Sequence, residues 1–64
     1  MTVRDLLDVV PNDEIINLYG KGVTYIGSGR ADDEDVQSFE DDEILNMSAS
    51  GDRSIDVVLN QLYL

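Results

Sequence analysis

The sequence predicts an α+β domain in which a short N-terminal helix packs on an antiparallel sheet of about four strands, formed by two hairpins. Three observations predict this class: a capped amphipathic segment opens the chain, two pairs of β-like runs follow it, and a glycine-containing turn joins each pair. The 64 residues have room for one domain, residues 1–64, which buries only about 60% of the surface of its unfolded chain. Because so thin a core is often completed by association, we expect a homo-oligomer.

The first helix is predicted to begin after Thr2, which is a suitable N-cap, with Asp5 completing a capping box. Pro11 disfavours helical geometry at Val10 and lacks an amide donor, so the helix should span about nine residues. Four apolar residues at helical spacing predict the face that packs on the sheet: Val3, Leu6, Leu7 and Val10.

Both hairpins are predicted from alternation and turn chemistry. Residues 14–19 and 23–28 are joined by Gly20-Lys21-Gly22, a connection typical of a hairpin. The β pattern resumes at Ile44, turns at Ser50-Gly51-Asp52 and continues to Leu59.

Of the tyrosines, we expect Tyr25 in the core and Tyr63 at an interface. An apolar end of chain is usually tied down, which predicts an oligomer contact through Leu59, Leu62, Tyr63 and Leu64.

Between the hairpins lies the acidic segment, residues 32–43, in which eight of twelve residues are acidic. Its acids, the predicted partner-binding residues, are Asp32, Asp33, Glu34, Asp35, Glu40, Asp41, Asp42 and Glu43. Val36 and Phe39 are its only apolar residues, and their spacing allows a helical turn pinned to the core as well as an irregular loop.

The spacing of these charges bears on what the acidic segment could bind. A helix would carry one charge per roughly 2 Å, close to the spacing of about 1.7 Å along duplex DNA. An extended chain would carry one charge per roughly 5 Å. Either form could fill a basic groove as a mimic of nucleic acid, whereas the alternative is a solvated, self-repelling loop that only keeps the domain soluble.

Charge and composition exclude several classes of function. Fourteen acids against four bases give a net charge of −10, which repels nucleic acid and anionic lipid and attracts basic protein surfaces. The chain has no cysteine and no histidine, which excludes disulfides, Cys/His zinc sites and imidazole catalysis. It also has no apolar run of roughly 18 residues and no secretory signal pattern at its start. We therefore expect a cytoplasmic protein without membrane contact.

No motif predicts a catalytic residue, a metal site or a cofactor. An EF-hand loop beginning at Asp32 would end correctly at Glu43, but Val36 would take a ligand position and Gln37 would replace the turn glycine. The paired carboxylates Asp13-Glu14 and Asp41-Asp42 leave a metal-dependent DNA nickase as an alternative. The alternative that ranks ahead of the nickase is a small oligomeric structural or assembly module that works through the apolar C-terminal residues.

The opening TVRDLLDVV, followed by a proline turn and DEIINLYGKG, resembles in layout small acidic accessory proteins of phages and mobile elements of Gram-positive bacteria. The resemblance covers roughly the first half of the chain, and its residues are structural, so it assigns no functional site. Some short acidic proteins of such origin are anti-CRISPR inhibitors that block RNA-guided nucleases, often by filling the groove meant for nucleic acid. The chain is similar to them in size and charge, which implies a non-enzymatic inhibitor of a basic enzyme.

Overall fold

The structure, a computed structural model, describes residues 1–60. Its helices and strands, in chain order, are α1 (Val3–Leu7), β1 (Ile15–Gly20), β2 (Thr24–Arg30), α2 (Glu34–Gln37), β3 (Ile44–Gly51) and β4 (Ser54–Leu59). The predicted α+β class, the N-terminal helix and both hairpins are therefore confirmed.

The sheet is mixed, with the strand order β2-β1-β4-β3. Each hairpin is antiparallel, as predicted, but the two central strands β1 and β4 run parallel, with Ile16 opposite Ile55 and Leu18 opposite Val57. The parallel pair arises because the segment containing α2 carries the chain from one edge of the sheet to the other, so that β4 returns beside β1. The expectation of a wholly antiparallel sheet was wrong in this central pair.

One face of the sheet carries the core. The side chains with at most 4% exposure are Val3, Leu6, Ile16, Leu18, Ala31, Val36, Val57 and Leu59. Apart from Ala31, which follows β2, they come from both helices and from the two central strands, so α1 and α2 cover the same face. The other residues of β1, which alternate with the buried ones, point to the uncovered face, where the Ile15 side chain is 36% exposed. This arrangement makes the fold two-layered.

The capping box of α1 is present as predicted. Thr2 Oγ1 accepts a hydrogen bond from the Asp5 amide at 3.4 Å, and Asp5 Oδ2 accepts one from the Thr2 amide at 3.1 Å. The helix ends at Leu7, earlier than predicted, because the chain tightens into a turn in which the Val9 amide bonds to the Leu6 carbonyl at 3.1 Å. Val10 still packs against the core from this turn, which explains why it fitted the helical pattern.

The first hairpin differs from the prediction at its turn. Val23 has a φ of 65° and belongs to the turn, so β2 begins at Thr24. The prediction of Tyr25 in the core was wrong: its side chain is 58% exposed and meets Tyr19 edge to face with 5.6 Å between ring centroids. A register shift next to Tyr19 accompanies this placement and brings Ile26 instead into contact with the core.

No helix within residues 1–60 is long and apolar enough to cross a lipid bilayer.

Candidate functional site

The acidic segment begins just after β2, and the residue that precedes it, Ala31, is bonded to the rest of the domain. The Ala31 side chain is buried, and its amide donates to the Glu14 carbonyl at 2.8 Å. Asp33 then serves as the N-cap of α2, since its Oδ1 accepts a hydrogen bond from the Asp35 amide at 3.0 Å. The helix α2 is one turn long, and Val36 from this turn is 1% exposed. The segment therefore forms the pinned helical turn, one of the two forms that its sequence allowed.

Further turns hold the chain after α2. The Ser38 hydroxyl donates to the Asp35 carbonyl at 2.8 Å, and the Phe39 amide donates to the Val36 carbonyl at 3.1 Å. Phe39 packs half-buried against the core, and the Asp42 amide donates to the Phe39 carbonyl at 2.9 Å. Because side chains and backbone both restrain it, the acidic segment is an ordered surface rather than a trailing loop.

The second half of the acidic segment is partly neutralised by two cations from the N-terminal residues of the chain. Arg4 Nη2 lies 3.2 Å from Glu40 Oε1 and 2.8 Å from Asp41 Oδ1, and the terminal amine lies 3.2 Å from Glu43 Oε1. The Glu40 carboxylate, followed by the charge of Asp41, raises the pKa of the Arg4 guanidinium above its usual value. Backbone bonds lock the same junction, with the Arg4 amide donating to the Glu40 carbonyl at 2.9 Å. The sequence offered no local sign of this contact, because Arg4 and Asp41 are 37 positions apart.

Within residues 1–60, the first half of the acidic segment has an ion pair at its first residue alone. Asp32 lies 3.5 Å from Arg30 Nε. The next three residues, Asp33, Glu34 and Asp35, form what we term the acidic triplet; all are exposed, and no cationic nitrogen of residues 1–60 lies within 4.0 Å of their carboxylates. Negative charge at the first turn of a helix is also favoured by the helix dipole. The structure thus separates the acidic triplet from the predicted binding residues that pair with cations, which are Asp32, Glu40, Asp41 and Glu43.

A cleft of about 260 Å³ lies between α2 and β2, beside the acidic triplet. Its apolar lining comes from Leu18, Ile26, Val36 and Phe39, and its polar lining from Ser28, Ser38 and Asp35. Asp35 is the charged member of this lining. An apolar floor beside a carboxylate suits a long basic side chain, whose aliphatic stem and cationic head need different surroundings. Sequence reasoning missed the cleft because it depends on how closely α2 approaches β2.

Gly29 sets that approach. A Cβ atom at Gly29 would lie 3.1 Å from Asp33 Oδ2 and 3.2 Å from Val36 Cγ2, closer than an ordinary van der Waals contact. The absence of a side chain at this point of β2 therefore lets α2 sit directly on the sheet, and it fixes where the acidic triplet lies.

The other predicted site residues fall elsewhere. Asp13, a candidate for the nickase alternative, accepts a hydrogen bond from Arg53 Nη1 at 2.9 Å. No group of three carboxylates within residues 1–60 is arranged to hold a metal ion. Leu59 is fully buried in the core, so its side chain packs within its own chain. Leu62, Tyr63 and Leu64, the remaining residues of the predicted oligomer contact, lie outside the described residues.

Comparison of the chain with protein-family models, with curated proteins and with solved structures finds no match to any of them.

Proposed function

We propose that this chain is a non-enzymatic accessory protein that binds a basic surface of a nucleic-acid enzyme, such as an RNA-guided nuclease, through the acidic segment. The observation that carries the proposal is the acidic triplet: three exposed carboxylates with no cationic nitrogen of residues 1–60 within 4.0 Å, on a turn pinned to the core by Val36. Because the turn is already ordered, a partner would lose less free energy in ordering it than in ordering a loop.

The charge distribution of the whole chain supports the proposal. Three of its four basic side chains, Arg4, Arg30 and Arg53, lie within 4.0 Å of a carboxylate of the same chain. The fourth, Lys21, lies in the turn between β1 and β2. A net charge of −10 with so little free positive charge gives a field that speeds encounter with basic surfaces and opposes encounter with nucleic acid.

The local chemistry supports a basic protein partner in particular. The cleft beside the acidic triplet fits an arginine or lysine side chain of the partner, with its stem on Val36 and Phe39 and its head at Asp35. Grooves that hold nucleic acid are rich in such side chains. Since α2 is a single turn, the mimicry that we propose is one of charge density and not of a long helical array of phosphates.

The resemblance of the first half of the chain to phage accessory proteins points in the same direction. An inhibitor of this kind would act in the cytoplasm of the host, where RNA-guided nucleases meet invading DNA.

The test is a binding titration of the full chain against a panel of purified basic nucleic-acid enzymes that includes RNA-guided nucleases, each with and without duplex DNA. We expect one or more to bind, with affinity that falls steeply as salt rises and with DNA as a competitor. The informative variant is E34Q/D35N, which removes two charges of the acidic triplet and keeps Asp33 as the N-cap. The matched control is D8N/D52N, which removes the same net charge from exposed residues elsewhere.

The proposal predicts that E34Q/D35N weakens binding much more than D8N/D52N does. Equal effects of the two variants would show that only overall charge matters. Failure of every enzyme in the panel to bind, or binding that is indifferent to salt, would also contradict the proposal.

A further inference from the structure

We propose that the cleft between α2 and β2 is a pocket for one arginine side chain of the partner, and that it selects arginine over lysine. This pocket would serve the function proposed above, on which its assignment rests. It is built around Gly27 of β2, and Asp35 of α2 supplies its charge.

The space in the cleft comes from a missing side chain in β2. Gly27 lies opposite Leu18 in the pairing of β1 with β2, and residues that lie opposite each other in a sheet direct their side chains to the same face. Leu18 is 2% exposed and belongs to the core, so a side chain at Gly27 would also lie on the covered face. A Cβ atom at Gly27 would meet no atom within 4 Å. The cleft is therefore the unfilled place of a core side chain.

Gly29, two residues further along the same strand, shows that this space is local. A Cβ atom at Gly29 would lie 3.2 Å from Val36 Cγ2, so α2 closes on the strand there and leaves the opening at Gly27. The opening has a volume of about 260 Å³. Pockets for drug-sized ligands begin at about 300 Å³, so this opening suits a single long side chain.

The lining indicates an occupant that is both apolar and cationic. Asp35 is its charged member, and no cationic nitrogen of residues 1–60 lies within 4.0 Å of the Asp35 carboxylate. Asp33 and Glu34, which precede it in the acidic triplet, add to the negative potential at the cleft. The apolar part of the lining comes from Leu18, Ile26, Val36 and Phe39. A long side chain with an aliphatic stem and a cationic head matches both parts.

Hydrogen bonding and hydration favour arginine over lysine in this pocket. The lining has a second acceptor besides the Asp35 carboxylate, because the Ser38 hydroxyl donates its proton to the Asp35 carbonyl at 2.8 Å and its oxygen can still accept. A guanidinium has five N–H donors in a fixed plane and is weakly hydrated, whereas an ammonium has three donors and is strongly hydrated. Entry into a largely apolar pocket therefore costs an ammonium more hydration, and a guanidinium can bond to both acceptors.

The pocket is tested first with three short peptides on the full chain, by NMR titration at low salt. The peptides are acetyl-Gly-Arg-Gly-amide, its lysine counterpart, and its citrulline counterpart, which keeps the shape of the arginine side chain without the charge. We expect the arginine peptide to bind with a Kd of about 1–10 mM and to shift the amides of residues 26–28 and 35–39. The lysine peptide should bind about fivefold or more weakly, and the citrulline peptide should not bind measurably. Equal binding of the arginine and lysine peptides, or shifts spread evenly over all acidic residues, would overturn the proposal.

Variants then separate the pocket from the charge around it. Gly27→Val fills the opening without altering any charge, so it should keep or raise the Tm and weaken binding of the arginine peptide by about tenfold or more. Ser48→Val, the control, adds a valine to an exposed position of β3 and should leave binding unchanged. Asp35→Asn should weaken binding much more than Asp8→Asn, which removes an exposed charge elsewhere. Unchanged binding in Gly27→Val would overturn the proposal; if that variant does not fold, equal effects of Asp35→Asn and Asp8→Asn would overturn it.

The same variants distinguish a failure of the pocket from a failure of the proposed function. A panel enzyme that binds the unaltered chain and Gly27→Val equally well, but binds E34Q/D35N weakly, would overturn the arginine pocket and support the proposed function. Entry of the arginine peptide into the cleft, with no panel enzyme binding, would support the pocket and contradict the proposed partner.

Discussion

Val36→Ala is the substitution that tests most sharply whether the acidic segment is held against the core. Val36 is 1% exposed, and it belongs to the single turn of α2. The change removes two buried carbon atoms, which costs about 1.6 kcal/mol at roughly 0.8 kcal/mol for each. A residual cavity of about 40 Å³ would add about 1 kcal/mol. We expect the free energy of unfolding to fall by about 2.5 kcal/mol in total, and the Tm to fall by about 10–20 °C for a domain of this size.

The assay is urea denaturation followed by circular dichroism, with the free energy of unfolding obtained by linear extrapolation. Val9→Ala is the matched control, because Val9 is 75% exposed and its truncation should change stability by less than about 0.5 kcal/mol. If Val36→Ala has as small an effect as Val9→Ala, the turn is not packed on the core and the reasoning about an ordered acidic surface fails. Where Val36→Ala remains folded, it should also weaken partner binding, although it alters no charge.

Three further substitutions test the details of the fold. Gly29→Ala should destabilise the chain by about 1 kcal/mol, because the added Cβ crowds α2. The control Gly27→Ala should not destabilise it, because no atom lies within 4 Å of the added Cβ. Thermal denaturation should therefore give a lower Tm for Gly29→Ala than for Gly27→Ala. Val23→Asn should stabilise the chain by about 1 kcal/mol in urea, since a β-branched residue is strained at positive φ and asparagine is not. Arg4→Gln should lower the Tm at low salt by an amount that shrinks as salt rises, because its ion pairs are exposed; a salt-independent loss would contradict this.

Local rules predicted the local elements of this fold. The capping box at Thr2 and Asp5 and both hairpins appear as expected, because each depends on residues close together in the sequence. The parallel pairing of β1 with β4 was not predicted, because the alternation of apolar and polar residues within a strand does not indicate which distant strand lies beside it. Tyr25 was misplaced for a related reason: alternation shows that a strand has two faces, but not which face the helices cover.

The candidate site was predicted in part. The spacing of Val36 and Phe39 allowed a helical turn attached to the core by these two side chains, and both contact the core. The division of the acidic segment was not predicted, because it depends on Arg4 and the terminal amine reaching residues that are far away in sequence. The closeness of α2 to β2 likewise depends on Gly29 facing α2, which only the assembled sheet defines.

The most direct test of the central claim, that the acidic segment is a fixed surface and not a mobile loop, is the amide order parameter of residues 33–39 measured by ¹⁵N relaxation. The account predicts values near those of β1, about 0.85, at the helical turn that carries the acidic triplet. Values below about 0.6 at the same amides, with β1 remaining rigid, would show that the carboxylates move freely and would contradict it.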